Sequence, residues 1–228
     1  MWRNNGFVRH LVVPSNHNMY NPPQFELASL PDLHAVIRAC GLAQFVTGTA
    51  AGLLATPLPL FLDATEGDLG TLYGHLARAN DQWKTRPEHE ALAIFPTADA
   101  YISPSWYATK AETSKVVPTW NYETVHAFGN AEFFDDPRRL LDVVTRLTDL
   151  HEGRRAEPWQ VSDAPTDFVM GQLRGIVGIR MPISRLEGKR KMSQNRSEAD
   201  RAGVVEGLSQ SPREGDQIAA KIVPIKSR

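Results

Sequence analysis

Apolar positions change period along the chain. Ser29-Leu-Pro-Asp32 reads as a helix start with Pro31 in the first turn. Leu33, Val36, Ile37 and Cys40 then recur at i, i+3, i+4 and i+7, and Gly41 stops the helix. From residue 43 to 102 the pattern becomes short apolar runs broken by turns. These predict strands at 43–49, 54–62, 69–74, 91–95 and 100–103, with hairpin loops at Ala50-Ala-Gly52 and Ala64-Thr-Glu-Gly-Asp68. Asn80 to Arg86 reads as a short helix inserted into this sheet. Val125, Ala127, Gly129, Ala131 and Phe133 alternate with more polar neighbours, which predicts a strand over 124–134. Asp136-Pro137 caps a helix carrying Leu140, Leu141, Val144, Leu147 and Leu150. A further helix is predicted over 166–173 and a long closing strand over 175–186. Residues 209–228 mix Ser, Pro, Gly and charge and read as a loosely held, flexible tail. Six or seven strands in meander order, with no strand–helix repeat, predict a mainly β fold: a small antiparallel barrel with peripheral helices, not a doubly wound sheet.

Composition narrows the class. A chain of 228 residues with 42% hydrophobic and 22% charged content can bury one substantial core or two small ones. The net charge of −1 provides no global field toward nucleic acid, so any basic surface is local. The single cysteine, Cys40, excludes an intramolecular disulfide and fits a reducing compartment; its place in a helical pattern reads as a small core residue. No run approaches the ~18 apolar residues of a membrane span. The apolar patch near the N-terminus is too short and interrupted for a signal-peptide core, which makes the cytoplasm the expected location. Residues 1–18, which precede a second start-like Met19, read as an N-terminal extension.

The chemistry concentrates between Tyr73 and Tyr122. Three of the five tryptophans lie there, in Tyr-Gly-His-Leu-Ala-Arg-Ala-Asn-Asp-Gln-Trp-Lys (73–84), Tyr-Ile-Ser-Pro-Ser-Trp-Tyr (101–107) and Val-Pro-Thr-Trp-Asn-Tyr (117–122). A planar, phosphorylated ligand needs such a mixture of aromatic walls and placed donors. In the first block a strand ends and a helix begins, so exposed N–H groups, Arg78 and Lys84 could hold a phosphate. The same residues also fit an ordinary turn capped by Asn80 with Arg78 solvated. The second and third blocks read equally as loops whose Trp106 and Trp120 fill a core edge, and His126 reads as a structural histidine. A fourth block, Gly188-Lys-Arg-Lys-Met-Ser-Gln-Asn-Arg196, is either a solvated basic run or an anion site; it lacks the aromatic interleaving of a single-strand binder. There is no Gly-rich nucleotide loop, nucleophile elbow or His-Glu-x-x-His, and the seven histidines are scattered, so no metal site is expected.

Taken in order, these blocks resemble the PaiB-like family of FMN-binding negative transcriptional regulators, a branch of the split-barrel flavoproteins. The match begins at Met19-Tyr-Asn-Pro-Pro-Gln-Phe and includes Ala55-Thr-Pro-Leu-Pro-Leu60, the three aromatic blocks, Val125-His-Ala-Phe-Gly129 and Lys191-Met-Ser-Gln-Asn-Arg196. It covers residues 19–208, which are taken as the domain. The resemblance implies an FMN-binding split β-barrel, antiparallel and Greek-key-like, that forms a homodimer with the flavin in a groove at the interface. By motif position it implies that Arg78, Asn80 and Lys84 serve the phosphate end and that Thr56 and His75 face the isoalloxazine or ribityl chain. Lys191, Ser193, Gln194 and Arg196 would close the site from the same or the partner subunit. It also implies a role in repression. The residues themselves show no DNA-reading helix, so DNA contact would fall to Lys189–Arg196. The competing role is an FMN-dependent oxidoreductase acting on a small molecule, with His75 and His126 as first candidates for mutation but no residue standing out as its acid–base catalyst.

Overall fold

The computed structural model describes residues 19–225, and the N-terminal extension predicted over 1–18 lies outside them. The sheet residues fall into two antiparallel sheets that share one core. The larger is built from β1 (Glu26–Leu27), β2 (Ala43–Thr49), β3 (Gly52–Leu58), β6 (Ala91–Ile102), β7 (Thr119–Gly129) and β10 (Arg185–Lys191), in the order β1-β10-β7-β6-β2-β3. The smaller is built from β4 (Leu60–Asp63), β5 (Thr71–Ala77), β8 (Glu132–Phe134) and β9 (Ile176–Pro182), in the order β4-β5-β9-β8. The order is not a simple meander, and ten strands appear among the described residues where six or seven were expected.

The extra strands come from two corners. The run read as one strand over 54–62 is β3 and β4, which belong to different sheets and break at Pro59, a residue without an N–H for the ladder. The run read as one strand over 175–186 is β9 and β10, again in different sheets. At that corner Ile183 N donates to Gly70 O, just before β5, at 3.0 Å and Ser184 N donates to Phe128 O of β7 at 2.9 Å. The sheets also approach closely here: a Cβ on Gly129, the last residue of β7, would lie 2.2 Å from Pro182 O.

Helix α1 (Leu30–Ala39) closes the barrel, burying Leu33, Val36 and Ile37 as its apolar spacing requires. They join Phe45, Leu72, Leu76, Phe95, Val125, Ile179 and Met181 in the main core. Helices α3 (Pro137–Glu152) and α4 (Thr166–Leu173) cover the outer face of the small sheet, packing Leu140, Val143, Leu147 and Leu173 against Phe61 and Phe134. α3 starts as the sequence indicated: Asp136 accepts from the backbone N–H groups of Arg138 and Arg139, and Pro137 occupies the first turn.

A further apolar cluster lies at the far end of β6 and β7. It is covered by α5 (Glu198–Ser209) and α6 (Glu214–Ile222), with the short α2 (Thr109–Thr113) alongside. The flexible tail expected over 209–228 is different in the structure: Ala219, Ala220 and Val223 are buried against Ala98, Ala100, Ile102 and Leu208. Small apolar residues suffice there because α6 lies close on β6, and their modest hydrophobicity hid the contact within a polar composition. No helix among the described residues is long and apolar enough to cross a membrane.

The corner at Gly129 supplies a test of the architecture. Gly129→Ala should lower stability by about 1–3 kcal/mol, because the methyl would force Pro182 and the strand behind it to move. Urea unfolding should show a reduced midpoint; an unchanged midpoint would mean that the two sheets do not meet there.

Candidate functional site

The first block folds into a tight hydrogen-bonded hub. After β5, residues Asp81–Lys84 form one 3₁₀ turn rather than a helix to Arg86, and Asn80 caps it by accepting from Gln82 N at 2.9 Å. Asn80 Nδ2 donates to Thr56 Oγ1 at 3.0 Å, and Thr56 donates to Gln82 Oε1 at 2.6 Å. Gln82 is 2% exposed, and its amide nitrogen reaches Thr47 Oγ1 at 3.0 Å and the carbonyls of Phe45 and Leu54 at 3.3 Å. Thr56 and Asn80, assigned separately from sequence, are thus brought together by Gln82. That glutamine was visible in the block but was not singled out as a site residue.

The basic residues of this block are engaged locally. Arg78 donates from Nε to Arg174 O at 2.8 Å and from Nη2 to Ile176 O at 3.2 Å, and it faces Asp135 at 3.5 Å. It borders a cavity of about 420 Å³ with Asp135, Leu140 and Arg174. Lys84 pairs with Asp81 at 2.7 Å. The indole of Trp83 lies beneath both cations and donates to Arg78 O at 2.9 Å, so the aromatic residue orders the loop.

The second, third and fourth blocks meet at the other end of the large sheet. Lys191 Nζ donates to Thr119 Oγ1 at 2.7 Å and to Trp120 O. Asn121 and Ser193 are both buried; the amide donates to Ser193 Oγ at 3.0 Å and the hydroxyl donates back to Oδ1 at 3.2 Å. Ser193 adopts a left-handed backbone (φ 63°), an uncommon conformation for a residue with a Cβ, so this turn is held by its surroundings. Gln194 completes the turn, accepting from Met192 N at 2.6 Å and donating to Arg190 O. The Arg196 guanidinium lies 4.5 Å from the centre of the Tyr107 ring. Tyr101 and Trp120, each 47% exposed, form an edge-to-face pair across β6 and β7, with ring centres 6.1 Å apart.

This end carries uncompensated charge. Burial lowers the Lys191 ammonium below its ordinary value, and the charges of Lys189 and Arg196 lower it further. Lys189 donates to Tyr20 O at 2.6 Å and lies against the rings of Tyr20 and Tyr122. None of Lys189, Lys191 and Arg196 forms an ion pair among the described residues, whereas Arg190 between them is paired with Glu123.

His75 stands apart from both groups. Strand alternation turns Leu72 and Leu76 into the main core and sends Tyr73 and His75 to the face under α3. There His75 borders a cavity of about 310 Å³ with Pro59, Leu147, His151 and Trp159. Its Nδ1 is buried without a hydrogen-bond partner, and burial holds the imidazole below its ordinary value. No group of three or more His, Cys, Asp or Glu side chains among the described residues could hold a metal ion. The Thr56–Arg78–Asn80–Lys84 group and the Lys191–Arg196 group share no hydrogen bond, ion pair or apolar cluster within one chain.

Comparison with known proteins supplies the class. Residues 19–185 match a sequence family described as "Putative FMN-binding domain". The chain is 31% identical over 191 residues to the Bacillus subtilis protein named Protease synthase and sporulation protein PAI 2, covering 83% of this chain and 89% of that one. It is 30% identical to an uncharacterized protein of Emericella nidulans, covering 84% and 94%. Among solved structures it is similar to the FAD and heme binding protein of Mycobacterium smegmatis (TM-score 0.54, 14% identity, 78% of each chain). It is also similar to the flavocytochrome Anf3 of Azotobacter vinelandii (TM-score 0.51, 14% identity, 73% of this chain and 69% of that chain). The fold is the split barrel that the sequence resemblance implied. The chain belongs to the FMN-binding domain family, PaiB-like in sequence, and its cofactor is FMN.

The side chains fit that cofactor. A phosphate monoester beside Lys191 and Arg196 would offset the mutual repulsion of three unpaired cations, and the exposed Tyr101–Trp120 pair offers rings to a planar group. FMN supplies hydride or electron transfer when bound; the protein's part is to hold and orient it.

Two half-buried histidines make stability depend on pH. His75 and His126 are both lowered from 6.5 in the folded chain, by burial and, for His126, also by the charge of Arg185. The unfolded chain therefore takes up more protons, and stability falls as pH drops below 6.5 until it passes the folded values. Denaturation midpoints measured from about pH 7.5 down to about 5 should fall, and His75→Gln should flatten the fall. An equally steep fall in that variant would show that His75 is not held neutral.

Proposed function

We propose that the chain acts as a cytoplasmic, FMN-dependent negative regulator of gene expression and that two copies complete the flavin groove. The observation that carries the groove is the division of the candidate residues. Hydroxyl and amide donors cluster beside β3, while unpaired cations cluster at the far end of β7 and β10. A head-to-tail meeting of two copies would bring the first group of one to the second group of the other. Strand β3 supports such a contact, because it is an edge strand that exposes Leu53 (78%) and Leu54 (37%) next to Thr56. On this reading Lys191 and Arg196 hold the phosphate, Ser193 and Gln194 keep the turn that presents them, and Thr56, Asn80 and Lys84 line the opposing wall. Arg78 positions the loop rather than touching the cofactor, and His75 lies outside the groove.

The regulatory role rests on the resemblance to PaiB-like regulators and on similarity to the Bacillus protein named Protease synthase and sporulation protein PAI 2. If DNA is bound directly, the basic run Lys189–Arg196 is the surface for it. A second reading, an FMN-dependent oxidoreductase, is favoured by the exposed Tyr101–Trp120 pair, which leaves an aromatic face open to a small planar substrate.

The purified chain should show flavin absorbance and gain about 2.7 kcal/mol of stability with FMN at a hundredfold excess over Kd. Lys191→Ala should weaken FMN binding at least about tenfold. Leu53→Asp should lower both the dimer fraction in sedimentation and FMN affinity; a monomeric variant with unchanged affinity would refute the shared groove. Promoter DNA should bind with log K falling linearly in log salt if repression is direct. No binding at low salt, with turnover of the reduced flavin by a small acceptor, would favour the oxidoreductase.

A further inference from the structure

A cavity of about 470 Å³ opens between the C-terminal end of α1, the free edge of β4 and the last turns of α3. It shares no residue with either group of candidate flavin contacts. Its floor is apolar, made by Leu60, Phe61 and Leu62 of β4, and Leu150 of α3 remains 41% exposed at its edge. Its rim carries basic residues: Arg38 from the last turn of α1, Arg146 and His151 from α3, and Arg154 just past the α3 C-cap Gly153. No carboxylate lines it. Two arginines without an ion pair among the described residues, Arg38 and Arg154, thus flank one apolar hollow, with Arg146, paired to Asp63 at 2.7 Å and Asp142 at 3.8 Å, on the same rim.

The helix dipoles account for part of this. A cation is stabilised in the last turn of a helix, which explains Arg38 without any ligand. The dipoles do not explain the open floor or the fixing of Arg146. That guanidinium is anchored to Asp63 at 2.7 Å and lies 4.4 Å over the Phe61 ring, so one cation is already oriented over the hollow. Arg38 and Arg154 have no hydrogen bond or ion pair among the described residues, so their donors are available. A concavity with low-dielectric walls and charges of one sign concentrates the field on an anion within it. The volume lies within the range of small-molecule sites, which combine mostly apolar walls with a few polar groups.

We propose that this cavity is a binding site for a small organic carboxylate. Its apolar body rests on Leu60–Leu62 and Leu150, and its carboxylate is held by Arg38 and Arg154 beside the preoriented Arg146. The site is separate from the flavin groove and does not depend on it.

The chain contains its own reporter. Cys40, its single cysteine, lines the cavity and is partly exposed, so a bound ligand should shield it from alkylation. Dodecanoate and 2-naphthoate, an aliphatic and an aromatic carboxylate, are titrated into the full-length chain by calorimetry with FMN present in excess. Binding is expected for at least one of them, at one molecule per chain, with slowed reaction of Cys40 with iodoacetamide. The identity of the binder then states whether the body is aliphatic or planar. Arg38→Gln/Arg154→Gln should weaken binding about tenfold or more and abolish the protection of Cys40. Its FMN affinity should be unchanged and its thermal melting should shift only by the small loss of a cation at the α1 C-terminus, because neither arginine side chain makes a hydrogen bond or ion pair among the described residues. Binding by neither carboxylate, equal binding in the double variant, no protection of Cys40, or competition with FMN would each overturn the proposal. The proposed flavin reading fails on different evidence, the absence of flavin absorbance and of stabilisation by FMN.

Discussion

The structure depends on the pairing of β6 with β7. These are the longest strands, and their ladder runs from Ala91 opposite Gly129 to Ile102 opposite Thr119. Midway, the register advances by three residues on β6, from Pro96 to Asp99, for two on β7, from Thr124 to Tyr122. One residue is therefore extra on β6, as in a bulge. The burial pattern shows the consequence. Ala91, Ala93 and Phe95 are buried before the bulge and Ala98, Ala100 and Ile102 after it, a switch from odd to even positions. On β7, with no extra residue, Asn121, Glu123, Val125 and Ala127 stay buried at odd positions throughout. The bulge restores alignment, so one face of the ribbon can cover the barrel core at one end and the α5–α6 cluster at the other.

Between those two apolar bodies lies a polar seam, and it has to be satisfied. Glu123, 6% exposed, accepts from Thr97 Oγ1 at 2.8 Å and pairs with Arg190. Breaking one partner of such a pair costs more than the pair contributes, because a buried charge is left without compensation. The neighbouring Asn121–Ser193 pair uses the same logic without charge, and it fixes the turn after β10 in its left-handed conformation. Lys191 and Arg196 flank that turn. Their position is therefore set by the seam, and the seam by the bulge.

How much of this was legible in the sequence follows from which signals are local. α1 was readable because its apolar residues repeat at helical spacing and nothing distant competes with them. Strands were readable as apolar runs, but a run carries no mark where it leaves one sheet for another. Pro59 and the Ile183–Ser184 corner therefore vanished into single long strands. α5 was missed because it buries only Asp200, Val204 and Leu208, while Gly203 and Gly207 admit Trp106, so its apolar stripe is too thin to detect. In the site, each aromatic block was visible but its partner was not. Asn80 meets Thr56 across 24 residues, and Asn121 meets Ser193 across 72. His75 shares its block with Asn80 and Gln82, but the strand's alternation carries it under α3, away from their hub.

The two groups of basic residues also differ in a way no sequence count reveals. Arg78 and Lys84 each face a carboxylate, Asp135 and Asp81, and Arg78 also donates to the Arg174 and Ile176 carbonyls, so it ties its loop to the neighbouring strand. Lys189, Lys191 and Arg196 face one another without a carboxylate, so part of the folding free energy is spent holding like charges together. Such an arrangement persists where an anion offsets it, because the binding of a phosphate removes the repulsion as well as adding contacts. On the proposed reading the far end of the sheet holds the phosphate end of FMN, while the hydroxyl and amide hub at Gln82 supplies shape. On the proposed reading these two contributions lie on different copies of the chain, which makes assembly and cofactor binding mutually dependent: each strengthens the other by the same factor.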